Sequence, residues 1–294
     1  MPLPPLISER FRLLRPLNDA LYGSIGLYED IQHNSEPVAI KQVSLARAVA
    51  ILRVNPNMDN PWSEHRVVSH LMALPPHTNI VRVRGEFLHL NDTWCVVMEF
   101  CPGGDLWSLL ESQPNNRLPE LEACQLFLQC VRGVRFLHAQ GIAHRDLSLE
   151  NIFCSRGVCK IGDFGLSTNV PLRGCGETVG KAYYMAPEVV NQEAYDAFSA
   201  DVWSLGIMLF IMLTGSPLTS CASRDNKAFN AFCKLGVAKI IVSWGLSDRI
   251  SPATVGLIDR LLSIDPSDRP TIDELYEILE ARAKINAQQS VEIY

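Results

Sequence analysis

His144-Arg145-Asp146-Leu147-Ser148-Leu149-Glu150-Asn151, followed twelve residues later by Asp163-Phe164-Gly165, is the stretch on which the rest of the chain is read. It sets a carboxylate at Asp146, an amide at Asn151 and a second carboxylate at Asp163, seventeen residues beyond the first. A carboxylate can accept or orient the proton of a hydroxyl, and carboxylate and amide oxygens are the hard donors that a divalent cation such as Mg²⁺ prefers. A buried polar loop and a turn could each produce one of these runs. Both together, in order and at this separation, leave coincidence negligible.

Upstream of this stretch the texture is strand-like, and downstream it is helical. Val38-Ala39-Ile40-Lys41-Gln42-Val43 and Trp94-Cys95-Val96-Val97-Met98 are β-rich runs of strand length. Between them Glu64 to Leu74 carries Val67, Val68, Leu71, Met72 and Leu74 at helical spacing, and Pro75-Pro76 stops it. Beyond Cys101-Pro102-Gly103-Gly104, Phe127, Val131, Val134 and Leu137 define one helix face. Thr271-Ile272-Asp273-Glu274 is a capping box ahead of Leu275, Ile278 and Leu279. The expected class is α+β and bilobal. A small antiparallel β-lobe with one major helix covers 11–98, a hinge 99–104, and a larger, mainly helical lobe 105–282. Residues 1–10 and 283–294 read as extensions, since chain ends order weakly.

Composition narrows the function classes. Among 294 residues, 47% are hydrophobic and 20% charged, a globular balance. The net charge of -6 argues against a general nucleic-acid binder, which needs a basic face. Nine cysteines without a C-x-x-C pair give zinc little support and read as reduced core thiols. No signal peptide is evident, and the apolar run Trp203 to Leu213 is too short to span a bilayer, so a buried helix is expected there. The expectation is a soluble, monomeric protein of the cytoplasm or nucleus, with neither nucleic acid nor membrane as partner.

The two opening motifs together resemble those of the eukaryotic protein kinase family, whose catalytic loop H-R-D-x-x-x-x-N precedes D-F-G. Other landmarks follow in family order over residues 11 to 282: Val38-Ala39-Ile40-Lys41, Met98-Glu99-Phe100-Cys101, Ala186-Pro187-Glu188, Asp201-Val202-Trp203-Ser204-Leu205-Gly206 and Arg269. The resemblance implies an ATP site in which Lys41, paired with Glu64, holds the α- and β-phosphates. It implies Asn151 and Asp163 as ligands of Mg²⁺ and Asp146 as catalytic base. Leu17, Gly23, Ile25, Ala39, Met98 and Phe153 belong to the same nucleotide site, with the backbone of Glu99 and Cys101 on the adenine edge. Asp105 falls where the family meets the ribose or a basic substrate side chain. Glu188 and Arg269 are expected to form a structural ion pair.

The chain departs from the family in two places. Its glycine-rich loop, Leu17-Asn18-Asp19-Ala20-Leu21-Tyr22-Gly23-Ser24-Ile25, retains only the third glycine, which predicts weaker ATP binding. Serine/threonine kinases carry a lysine two residues after the catalytic aspartate, and here that residue is Ser148. Where the family reads G-T ahead of A-P-E, this chain reads Gly180-Lys181. Either ammonium and hydroxyl have exchanged positions, Lys181 replacing the missing cation with Ser148 in the hydroxyl's place, or the two changes are independent drift. In the activation segment, Glu177 supplies a fixed charge for Arg145, or Thr178 (or Thr168) is phosphorylated, or these are solvated loop residues. Glu150, assisted by Asp105, either binds a basic residue preceding the phosphoacceptor or is simply solvated.

The reading that results is a protein kinase acting on serine and threonine hydroxyls of protein substrates. The competing reading is a pseudokinase, a nucleotide-binding or scaffolding module, resting on Asn18, Ala20 and Ser148. The complete segment through Ala186-Pro187-Glu188 argues against a small-molecule kinase.

Overall fold

Period-two burial along Glu36–Ser44 (β4) organises the small lobe. Val38 and Ile40 are buried on one face with Phe11, Tyr28, Cys95 and Val97. Val43 is buried on the other with Tyr22, Ala48, Val68, Trp94 and Val96. A strand buried on both faces belongs at the centre of a sheet, and β4 lies there. The computed structural model describes residues 6–169, 173–175 and 178–291. Its main sheet is antiparallel, with β1 (Leu6–Ile7), β2 (Phe11–Ala20), β3 (Gly23–Asp30) and β4 in sequence order, then β6 (Thr93–Glu99) and β5 (Val83–His89).

Two helices lie between β4 and β5. Ser44 caps α1 (Leu45–Leu52) by accepting from the Arg47 amide. Asn60 caps α2 (Pro61–Met72) through the amides of Trp62 and Ser63, with Pro61 at the first helical position. The single small-lobe helix expected is α2; α1 is an addition whose cap residue, Ser44, precedes an apolar run.

The large lobe packs α3 (Leu106–Glu111), α4 (Glu120–Ala139), α5 (Pro187–Val190), α6 (Ala197–Thr214), α7 (Lys227–Ser243), α8 (Pro252–Leu261) and α9 (Ile272–Val291) into one apolar core. Phe127, Val131, Val134 and Leu137 are all buried along α4, as their spacing predicts. The α6 helix is long and apolar enough to cross a membrane, yet most of it is buried inside this core. Short pairs complete the lobe: β7 (Ile142–Ala143) with β10 (Thr168–Asn169), β8 (Ile152–Ser155) with β9 (Val158–Ile161), and β11 (Arg173–Cys175) with β12 (Tyr195–Asp196).

Both presumed extensions need correction. Residues 6–7 pair with β2 and the buried Ile7 joins the sheet's outer cluster, so part of 1–10 belongs to the lobe. At the other end α9 continues through Val291, because Ala281, Ala283, Lys284 and Gln288 are good helix formers and no breaker intervenes.

Candidate active site

Alternation along β4 directs Ala39 and Lys41 away from the face that buries Val38 and Ile40. Lys41 Nζ donates to Glu64 Oε1 at 2.7 Å and to Asp163 Oδ1 at 3.0 Å. Glu64, in the first turn of α2, is therefore the partner of Lys41, as the sequence reading expects. The start of α2 is itself tied to the second motif, since the Asn60 amide donates to the Gly165 carbonyl at 3.0 Å. Burial disfavours the Lys41 ammonium, but the charges of Asp163 and Glu64 outweigh it and raise its pKa above the ordinary lysine value. The Lys41 charge, in turn, holds the Asp163 carboxyl below the usual aspartate range.

The catalytic loop is suspended from a buried acid. Asp201 on α6, 1% exposed, accepts from the His144 and Arg145 amides at 2.8 Å each and contacts His138 Nε2 at 2.9 Å. These bonds hold Arg145 in the left-handed region at φ 64°. Asp163 has the same conformation at φ 59°, and its Oδ1 accepts from the Gly165 amide at 3.4 Å. Two side-chain-bearing residues there imply about 1–3 kcal/mol of strain each, which the surrounding bonds must offset. Asn151 Nδ2 donates to the Asp146 carbonyl and to Asp146 Oδ2, both at 2.8 Å. With that nitrogen committed, the oxygen of the same amide is the end available to a cation. Burial raises the pKa of Asp146, and the positive charge of Lys181 is the largest influence opposing it.

A cationic lysine bridging two acids, an ionised aspartate and an oriented amide thus meet between the lobes. The protein kinase domain family matches residues 22–278. The chain belongs to the protein kinase family.

Relatives of this kinase domain come from plants and animals. It is 30% identical over 290 residues to CBL-interacting protein kinase 31 of Oryza sativa subsp. japonica, covering 94% of this chain and 59% of that protein. It is 32% identical over 274 residues to serine/threonine-protein kinase SRK2E of Arabidopsis thaliana, covering 91% and 70%. It is 28% identical over 282 residues to serine/threonine-protein kinase Nek11 of Homo sapiens, covering 93% and 40%.

The other residues expected at a nucleotide site lie on the strands and hinge around Lys41 and on β8. Asp105 and Phe153 form an isolated antiparallel bridge, and the carboxylate of Asp105 caps α3 by accepting from the Ser108 amide at 2.7 Å. The Glu99 carboxylate accepts from the Arg82 amide and pairs with Lys160, and the Glu99 amide donates to the Arg82 carbonyl at 2.9 Å. The Gly103 amide bonds the Cys154 carbonyl at 2.9 Å and joins hinge to β8 beside Cys101. Ala39 pairs with Met98 and Leu27, and Lys41 with Ile25, while Leu17 sits at a register shift of β2.

The hairpin between β2 and β3 carries the glycine-poor segment. Neither Asn18 nor Ala20 has positive φ, and both pair as ordinary strand residues, so neither position calls for glycine's conformational freedom. Gly23 is required for another reason, because a Cβ there would stand 2.0 Å from the Gln42 carbonyl oxygen on β4.

Several positioning groups were not foreseen. Asp201 was read as a landmark only, although an acid at the head of an apolar run signals a buried partner. Tyr22, at the hairpin tip, is buried and donates to the Asp59 carbonyl at 2.6 Å. Asp59 has a pKa raised by burial and by the charge of Asp163, and its carboxylate lies beside Gly165, 3.0 Å from where a Cβ there would stand. No local spacing announces either contact. In the activation segment Glu177 lies outside the described residues, and Thr178 Oγ1 donates to the Val189 carbonyl at 3.3 Å. Around the catalytic loop, Lys181 Nζ donates to Ser148 Oγ at 2.7 Å and stands 3.5 Å from Glu150 Oε1.

Proposed function

We propose that this kinase domain transfers the γ-phosphoryl group of ATP to serine or threonine hydroxyls of protein substrates. The observation that carries the reading is Lys41 bridging Glu64 and Asp163 in the cleft where Asn151 orients Asp146. The relatives' printed names include serine/threonine-protein kinases, which supports the choice of acceptor. The chain spans 59% and 40% of two of those proteins, so the activity proposed is that of this domain.

Lys41, held charged, addresses the α- and β-phosphates. Asn151 and Asp163 fit a hard cation, one offering an oriented amide oxygen and the other an ionised carboxylate, and they would hold Mg²⁺. Bound there, Mg²⁺ would neutralise charge along the phosphates. Ala39, Met98 and Phe153 enclose the adenine, with Leu17 and Ile25 above it, Gly23 in the covering hairpin and the backbone of Glu99 and Cys101 on its edge. Asp146 orients the substrate hydroxyl. As the bond from the hydroxyl oxygen to the γ-phosphorus forms, the bond to the β–γ bridging oxygen breaks, ADP leaves, and Asp146 takes the hydroxyl proton. Asp105 retains a carboxylate oxygen beyond its cap for the ribose or for a basic residue of the substrate.

Incubation of the domain with γ-labelled ATP, Mg²⁺ and a general protein substrate tests this. Label should appear as phosphoserine or phosphothreonine with wild-type protein and be lost with Asp146→Asn. Nucleotide binding without transfer would instead support the scaffolding reading.

A further inference from the structure

We infer that Lys181 supplies the cation that meets the transferring phosphoryl group, and that Glu150, held by Tyr183 and Tyr184, positions it. The inference rests on the phosphotransfer reading above and concerns the charge that reading leaves unassigned. Phosphoryl transfer develops negative charge that a fixed cation in a water-poor site stabilises strongly. Lys41 is engaged by Glu64 and Asp163, and Ser148 carries no charge.

The backbone brings residue 181 to the catalytic aspartate. Gly180 has φ 100°, and a Cβ there would lie 2.8 Å from the Arg145 carbonyl oxygen and 3.5 Å from Asp146 Oδ1. The chain can pass this close only as glycine, and the next residue extends its ammonium to Ser148 Oγ at 2.7 Å. Ser148 is 0% exposed, whereas the Lys181 side chain is 35% exposed, so a partly exposed lysine is anchored on a buried hydroxyl. An ammonium has three donors, and its strong bond here is to a neutral hydroxyl. Its contact with Glu150 is long. The Lys181 charge is therefore less closely neutralised than that of Lys41, which has carboxylates at 2.7 and 3.0 Å.

Glu150 has both oxygens engaged from the same segment. Tyr183 Oη donates to Oε1 at 3.1 Å and Tyr184 Oη to Oε2 at 3.2 Å, while Tyr184 Oη also accepts from the Leu149 amide. This clamp joins the catalytic loop to residues 181–184 and sets the carboxylate beside Lys181. Glu150 thus serves the chain's own lysine, and a basic substrate residue would have to compete for it. The catalytic cation is mounted on the activation segment, so chemistry depends on that segment being in place.

Lys181→Ala, whose side chain is partly exposed and whose loss should leave the fold intact, should lower kcat by about 10²–10³-fold. Binding gives a readout independent of turnover. By calorimetry in Mg²⁺, the variant should lose roughly tenfold in affinity for a non-hydrolysable ATP analogue, with ADP affinity retained. The reciprocal pair Ser148→Lys with Lys181→Thr should recover most of the lost kcat. Glu150→Gln should lower kcat roughly tenfold, about the worth of one hydrogen bond, and cost much less in the reciprocal background. Wild-type kcat in Lys181→Ala, with Asp146→Asn inactive, would overturn the assignment and leave the kinase reading standing. Equal inactivity of wild type and Asp146→Asn would overturn both. A Glu150→Gln effect confined to substrate KM would overturn the positioning role.

Discussion

Two buried ion pairs of nearly equal length, Lys41–Glu64 at 2.7 Å and Arg269–Glu188 at 2.6 Å, are built on opposite plans. Arg269 uses four of its five N–H donors. It meets both oxygens of Glu188, donates to the carbonyls of Ser263 and Ser199, and lies 5.0 Å above the Trp203 ring. Lys41 has three donors and two acceptors, and one of those acceptors, Asp163, is 42% exposed on left-handed backbone. The closed pair joins α5 to the segment ahead of α9, with those four arginine donors engaged inside the protein. The open pair keeps one ammonium donor beyond its two acceptors among the described residues, and it includes a carboxylate, Asp163, that is 42% exposed where Glu188 is 6% exposed. An accessible partner, more than the length of the pair, separates machinery from architecture in this molecule.

The comparison breaks if the two lysine and arginine substitutions behave alike. Lys41→Met should reduce phosphoryl transfer by at least about 10³-fold, at the upper end of what one electrostatic donor supplies, and should also lower the urea midpoint, because it leaves the buried Glu64 without its partner. Arg269→Met should lower the urea midpoint while the folded protein keeps its phosphoryl transfer. Leaving Glu188 buried and unpaired should cost about 3–5 kcal/mol in equilibrium unfolding, and replacing both partners with apolar residues should recover much of that loss.

A smaller effect sharpens the electrostatic contrast within the cleft. Because burial raises the Asp146 pKa and catalysis needs the ionised form, kcat/KM should fall as pH drops through a value above the ordinary aspartate range. Lys181 and His144 oppose the shift, whereas Asp163 reinforces it. Lys181→Ala should therefore move this acidic limb to higher pH, and a pH–rate profile of its residual activity checks the direction.

Much of the open pair was legible before any coordinates. Alternation in Val38-Ala39-Ile40-Lys41 pointed Ala39 and Lys41 to one face, and the family resemblance named Glu64, at the head of a helical run, as the partner. The substitutions at positions 148 and 181 were likewise visible, and the sequence left exchange of ammonium and hydroxyl open against independent drift. The supports were not legible, because they are long-range bonds to backbone. Asp201 holding the amides of His144 and Arg145, Asn60 holding Gly165, and Tyr22 reaching Asp59 leave no periodic trace. The hairpin was legible in part: its missing glycines were visible, whereas the negative φ of Asn18 and Ala20 and the close approach of the neighbouring strand that dictates Gly23 were not.

The most direct measurement of the open pair's spare capacity is calorimetric titration of the domain with ADP, with and without Mg²⁺, in wild-type and Asp163→Asn proteins. Wild type should bind substantially tighter when Mg²⁺ is present, and Asp163→Asn should lose that enhancement. Equal affinity with and without the cation in wild type would contradict the account.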